Sequence, residues 1–550
     1  MMKKSFKLLA AVAIFAAAVS CASIEKMAEM AENVKVTCEP GVLEAVNGAI
    51  DAVVSVSYPA DYFNPKAILE VTPVLVYEGG EAEMKPFMYQ GQKVKDNYKV
   101  VSSDGQTVTE RVHFDFVEGM ERARLELRGV ASKGKRSVNL PVKKVADGTN
   151  TTYMLVKRDG FVTPKADAYQ DVIPSTAEGQ IKYLVNSADV RNSELKGQSV
   201  KDFLSALDKI SADERTKLTG TEILAYASPE GPEGKNNELA DKRSASASKA
   251  WKELTKKHEA TDPTVKSLGE DWEGFQKLVK ESDIEDKDLI LRVLSMYSDP
   301  AVRESEIRNM SQVFTALKGE VLPELRRARL IANVEYQNYT SDELLKLLED
   351  NADVLDEEAL LRTATLVKDN GQKEDIYKRA IKKYGSDRAQ FNLASLYLDE
   401  NKLSKAEEAL SKLSSSDPDV VNAKGIIALR NNDYATAENL FRKANTPDAK
   451  KNLGIVEILT GQYEHAAETL ADVDGCCHNT VLAYILTNQL GKAANAAHCK
   501  DQKVQYLRAI IAARQGDAAG VRENRAKITN KALQELALKD VEFIGYDWGK

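Results

Sequence analysis

The strongest constraint on what this chain can become is a spacing near its end. Ala394, Gly425 and Gly454 recur about thirty residues apart, and twelve residues after each stand Ala406, Ala437 and Ala466. Four residues further on come Leu410, Phe441 and Leu470. Small residues at such offsets let two helices of a hairpin approach closely, and the large residue is expected to fill the gap between neighbouring hairpins. Weaker copies begin near Glu357, Asn479 and Val504, giving about six repeats. A single hairpin cannot bury its own apolar face, so residues 341–550 are expected to stack as an α-helical solenoid. That reading is specific for fold and silent on the ligand.

The residues of this spacing, with Leu453-Gly454 and Tyr397 at further positions, resemble the tetratricopeptide pattern. The resemblance implies a concave surface for a peptide or helix of another protein.

The opposite end of the chain reads as an export signal. Lys3, Lys4 and Lys7 precede an uncharged apolar stretch from Leu8 to Val19, too short for a membrane span, and Ala18-Val19-Ser20 lie directly before Cys21. This order resembles the lipobox of bacterial lipoproteins, with residues 1–20 as the signal, Cys21 as the lipidated residue and 21–33 as a linker. Ala18, where the family usually has Leu, also leaves open an ordinary signal cleaved at small residues. The chain has 84 acidic and 76 basic residues and a net charge of −8, which argues against nucleic acid as a partner. Five cysteines in 550 residues exclude a disulfide scaffold.

Between the two ends lie two further textures. Residues 34–175 carry partly alternating β-branched runs, such as 49–58, 67–77 and 108–116, separated by Gly79-Gly80, Asp104-Gly105 and Asp147-Gly148. They predict an all-β sandwich. Residues 178–337 alternate strand and helix: strands at 181–186, 221–227 and 329–336, helices at 200–210 and 236–257, and a charged helical insertion at about 262–322.

In this α/β domain, Ala225-Tyr226-Ala227-Ser228-Pro229-Glu230-Gly231 ends a strand, and Asn236, Leu239, Ala240 and Arg243 open the next helix. The run resembles the periplasmic domain of the OmpA family, over about a hundred residues interrupted by the insertion. The resemblance implies peptidoglycan binding, in which an Asp and an Arg clasp the zwitterionic end of the stem peptide. Arg can grip a carboxylate through two bonds, which suits that role. Arg243 falls on the family's Arg position, while Ser228 stands where the family has Asp. Two readings follow: Glu230 supplies the missing carboxylate, or the fold is kept for protein interaction and Asn236 and Arg243 only brace the helix. The Ser-Pro-Glu-Gly run and the Asp-Trp-Glu-Gly run of the insertion resemble envelope proteins of Bacteroidota.

Cys477 and Cys499 fall at one end of the same repeat hairpin, with Cys476, His478 and His498 beside them. A disulfide, unpaired buried thiols and a zinc site remain alternatives, with the disulfide favoured in an oxidising compartment. No glycine-rich phosphate loop, nucleophile elbow or paired metal-binding histidines occur in the sequence, so neither catalysis nor a cofactor is expected. The sequence therefore points to a non-catalytic lipoprotein scaffold on the periplasmic face of the outer membrane. Its expected partners are envelope proteins at the repeats and peptidoglycan at the central domain. A surface-exposed accessory of a secretion or fimbrial adhesion system is the alternative.

Overall fold

A computed structural model describes residues 23–285, 287–473 and 477–546, the side chains of 311–313 and of Cys477 excepted. The chain forms two compact units: residues 1–165 together with 385–550, and residues 166–384. Among the described residues, no helix is long and apolar enough to cross a membrane.

The first unit begins with a short helix α1 (Ile24–Glu29) and eleven strands. These are β1 (Lys35–Glu39), β2 (Val42–Val46), β3 (Ala49–Tyr58), β4 (Ile68–Tyr77), β5 (Gly80–Glu83), β6 (Phe87–Gly91), β7 (Lys99–Val101), β8 (Gln106–Asp115), β9 (Arg124–Lys133), β10 (Arg136–Asn139) and β11 (Lys143–Asn150). Strict alternation decides which face is buried. On β3 Ile50, Ala52, Val54, Val56 and Tyr58 point inward, matched by Val108, Val112 and Phe114 on β8. Leu69 and Val71 of β4 with Leu125 and Leu127 of β9 complete the core. The strands are not two separate sheets. The order β1-β3-β2-β11-β9-β4-β6-β7 is continuous, because short β2 pairs antiparallel with β3 and parallel with β11. The sheet ends at Asn150, earlier than the expected limit of residue 175.

The second unit has a four-stranded sheet in the order β12-β15-β13-β14. In chain order come β12 (Val172–Lys182), α2 (Asn192–Leu195), α3 (Gln198–Ala212), β13 (Thr216–Ala227), α4 (Glu233–Leu254) and β14 (Thr264–Glu270). Then follow α5 (Trp272–Glu281), α6 (Lys287–Met296), α7 (Pro300–Asn309), α8 (Ser311–Glu320), α9 (Leu322–Leu325) and β15 (Arg327–Gln337). Phe203 of α3 and Ala247, Ala250 and Trp251 of α4 pack onto Ile181, Ile223, Ala225, Leu330 and Ala332 of the sheet. Two boundaries differ from the sequence reading. The first strand starts at Val172 rather than near 181, because Val172–Lys182 pairs residue for residue with β15. Residues 264–270, placed in the helical insertion, form an edge strand parallel to β13, so the insertion runs from Trp272 to Leu325. The insertion has its own core of Phe275, Val279, Ile290, Leu294, Ile307, Leu317 and Leu325. The unit ends with α10 (Ser341–Asn351), α11 (Glu357–Leu366) and α12 (Asn370–Tyr384).

The remaining helices return to the first unit as α13 (Asp387–Asp399), α14 (Leu403–Ser411), α15 (Pro418–Arg430), α16 (Tyr434–Ala444), α17 (Pro447–Leu459), α18 (Tyr463–Thr469), α19 (Cys477–Leu486), α20 (Leu490–Ala496), α21 (Gln502–Arg514), α22 (Ala518–Ala526) and α23 (Lys531–Lys539). They pair as antiparallel hairpins, α13 with α14 through α21 with α22. Ser386, Asp417, Thr446 and Asp501 cap the first helices, and Pro418 and Pro447 occupy opening positions where no backbone N–H is needed. Each first helix is followed by a left-handed residue: Asn401, Asn432, Gly461, Asn488 or Gly516. Gly425 faces Phe441 and Gly454 faces Leu470, where an added Cβ would lie 2.5 Å from the partner side chain. The large residue thus fills space within its own hairpin rather than between neighbouring ones, because the small residue it faces lies on the paired helix.

Candidate functional site

The five residues singled out in the central domain surround one cleft. The end of β13 supplies Ser228 and Glu230, and α4 supplies Asn236, Leu239 and Arg243. Arg308, Phe314 and Lys318 of the insertion close the other wall, leaving a volume of about 430 Å³. The insertion contacts were not legible in the sequence, because they depend on how an independent helical core packs.

Most of the polar groups in this cleft already have partners. Arg243 is fully buried, and its guanidinium donates to the carbonyls of Ser187 (3.0 Å), Tyr226 (2.9 Å) and Leu184 (3.2 Å). It also lies over the Tyr183 ring, and burial lowers its pKa to about 10. Ser228 donates to Glu230 at 2.7 Å. Glu230 in turn accepts two bonds from Arg326, at 2.8 and 3.2 Å. Burial pushes the Glu230 carboxyl up, but the bonds from Arg326 and Ser228 outweigh it and hold the pKa below the usual range. Asn236 donates to the Gly231 carbonyl (2.9 Å) and to Glu270 (2.7 Å). Asp271 caps α5 through the Gly274 N–H and pairs with Arg327 at 2.8 Å. Two exposed cations of the insertion, Arg308 and Lys318, lie on the rim, and Arg308 is paired with Glu304. Glu230 therefore stands in the cleft as Arg326's counter-ion, and Arg243 as a brace between α4 and three carbonyls.

A second site was missed. After β11 the chain does not leave the first unit at once: residues 155–165 run along the helical hairpins, held by an asparagine on each of α13, α15, α17 and α19. Asn479 of α19 accepts from the Lys157 N–H (2.9 Å) and donates to the Lys157 carbonyl (3.1 Å). Asn452 of α17 does the same for Phe161, at 2.7 and 2.9 Å, and Asn422 of α15 donates to the same carbonyl at 3.0 Å. Asn392 of α13 clasps Lys165, accepting at 2.6 Å and donating at 2.9 Å. A primary amide can satisfy both the N–H and the C=O of one residue, so Asn479, Asn452 and Asn392 clamp backbone without reading the side chain. His478 bonds the Leu155 carbonyl through Nε2 (2.7 Å), and Arg430 donates to the Asp159 carbonyl. Burial lowers the His478 pKa to about 4, and its Nδ1 has no partner among the described residues. Side chains are read at few points. Lys157 pairs with Asp501 (2.7 Å), Lys165 with Asp419 and with Asp417 (3.5 Å), and Thr163 donates to Asp448 (2.6 Å). Lys451 lies over the Phe161 ring at 5.3 Å.

The signal for this ladder was present in the sequence. Asn392, Asn422 and Asn452 each stand two or three residues before Ala394, Gly425 and Gly454. Only the fold shows that these positions line one surface.

Cys21 and Cys476 lie outside the described residues, as does the side chain of Cys477, so the proposed pairing with half-buried Cys499 falls there too. Among the described residues, no group of three or more His, Cys, Asp or Glu is arranged to hold a metal ion.

No family model matches this chain, and no curated protein matches it. Solved structures similar to it include a tetratricopeptide repeat protein from Parabacteroides merdae, 15% identical with a TM-score of 0.29, covering 36% of this chain and 90% of that one. Another is the PilF protein of Pseudomonas aeruginosa, 15% identical with a TM-score of 0.28, covering 37% and 98%. These likenesses are partial, and the hairpin array stands on its own packing.

Proposed function

We propose that this chain is a non-catalytic, lipid-anchored envelope scaffold whose repeat array holds an extended polypeptide. The observation that carries this reading is the asparagine ladder, which makes two-way bonds to the backbone of an extended segment at every fourth residue. The lipid anchor rests on the sequence before Cys21. Wall binding rests on the OmpA-like motif and on the basic rim that Arg308 and Lys318 add to the cleft.

Two measurements test it. Chemical cross-linking of whole cells, followed by purification, is expected to recover envelope polypeptides joined to the repeat helices; recovery of this chain alone overturns the scaffold. Cys21→Ser is expected to move the protein out of the membrane fraction. For the wall, purified peptidoglycan is expected to sediment the protein, and Lys318→Glu to reduce this at least several-fold. Lys318 is the better probe, since removing the buried Arg243 would take a hydrogen bond from each of three carbonyls. Equal sedimentation of both proteins would remove the cleft from the account.

A further inference from the structure

The groove that the scaffold reading offers to a partner is not empty: the chain's own residues 155–165 fill it. We infer that this segment is an internal competitor, and that the partner which opens the groove brings an extended segment with two cationic side chains flanking an aromatic one, each four residues away. The inference rests on the peptide-holding reading above and specifies what regulates that site.

Three features carry it. First, the segment is held by main-chain bonds at Lys157, Phe161 and Lys165, which any extended chain can make. Second, Val156 is its one fully buried residue, and the rest is half-buried or exposed. Arg158, Asp159, Thr163 and Pro164 are exposed, while Lys157, Phe161 and Lys165 are half-buried. Little apolar area is therefore lost when residues 157–165 leave and Val156 stays in place. Third, the groove reads charge where it reads side chains at all. Asp501 meets one lysine, and Asp417 and Asp419 meet the other. Gly160 adds a geometric condition. It has a φ of +79°, and an added Cβ would lie 3.0 Å from Ile426. A competitor therefore needs glycine, or a different local path, at that point. Because the segment is tethered on both sides, its effective concentration is on the order of millimolar, so a free peptide binds the closed groove weakly.

The probe is a fluorescein-labelled peptide with the sequence of residues 154–166, followed by anisotropy against the full chain. Replacing Lys157, Phe161 and Lys165 together by alanine weakens the internal segment and leaves the groove intact. This variant is expected to bind the peptide at least tenfold tighter than the unaltered chain does. Adding Asn452→Ala, or using a peptide with glutamate at both lysine positions, is expected to abolish the gain. A folded triple variant that binds no more tightly than the unaltered chain overturns the competitor. Equal binding of the glutamate peptide overturns the basic partner.

Hydrogen exchange on the unaltered chain needs no variant. The amides of Lys157, Phe161 and Lys165 are expected to exchange at least tenfold faster than the core amides of α15 and α17. Exchange in step with those helices means the segment never leaves, and the inference fails. Tight peptide binding with no envelope cross-links would instead remove the scaffold and keep the competitor.

Discussion

At the scale of single residues, the groove depends on groups that are buried and fully used. Asn452 is completely buried and bonds Phe161 on both sides as well as Asn422 (2.9 Å). His478 is the sensitive member. Its neutral ring donates from Nε2 to Leu155, and among the described residues Nδ1 has no partner, so a second proton there would be buried without an acceptor from them. With its folded pKa lowered to about 4, the unfolded chain takes up the proton first as pH falls. The stability this histidine contributes is therefore full above its unfolded pKa near 6.5 and is lost as pH falls towards 4, by up to about 3 kcal/mol. Asp540, pushed up to about 6 mainly by burial, acts in the opposite sense, losing stability as pH rises through that value. His478→Gln retains a donor for Leu155 and cannot titrate. The difference in stability between the two proteins, followed by denaturant unfolding from pH 7 to pH 4, is expected to shift in favour of the variant. A difference independent of pH would show that the folded chain takes up the proton as readily as the unfolded one.

At the scale of elements, the repeats were legible because their rules are local. Caps, left-handed stops and small–large pairs are each set by a few neighbouring residues, and five of the expected hairpins, α13 with α14 through α21 with α22, stack in the first unit. Gly454 shows how tight the pairing is, since a Cβ there would lie 2.5 Å from Leu470. Gly454→Val is expected to cost about 2–3 kcal/mol through overpacking, measured as a lower unfolding midpoint. Leu470→Ala in the same chain is expected to recover part of it by making room. In contrast, β14 was misread as part of a helical stretch. Its seven residues carry weak local preference and are strands because β13 offers them a parallel edge. The opening of β12 at Val172 was missed for the same reason: its mate β15 lies more than a hundred and fifty residues away.

At the scale of the molecule, the first unit is assembled from both ends of the sequence. Residues 1–165 and 385–550 share one body, with the segment 155–165 laid along the hairpins. The closing contact is Glu542, which accepts from Asn150 (3.0 Å), Thr152 (2.9 Å) and Arg514 (3.0 Å) at the junction of strands and helices. Its side chain is 8% exposed. Glu542→Ala strands the Arg514 charge and is expected to destabilise this unit by about 3–5 kcal/mol. Hydrogen exchange would locate the loss in α21 and β11 together. A change confined to α21 would mean that the strands do not depend on this contact.

By itself, then, the sequence determined the helical repeats, the strand-rich start and the α/β alternation between them. It also placed Ser228, Glu230, Asn236, Leu239 and Arg243 together around one cleft. These follow from periodicity, capping and a short motif, all of which act over a few residues. Only the tertiary structure decided that Arg243 spends its donors on carbonyls, that Arg326 has taken Glu230, and that the groove already has an occupant. Those outcomes depend on which of several available partners a buried polar group meets. The hydrogen bonds to Phe161 join residues almost three hundred positions apart, and such a pairing costs loop-closure entropy that no local pattern records.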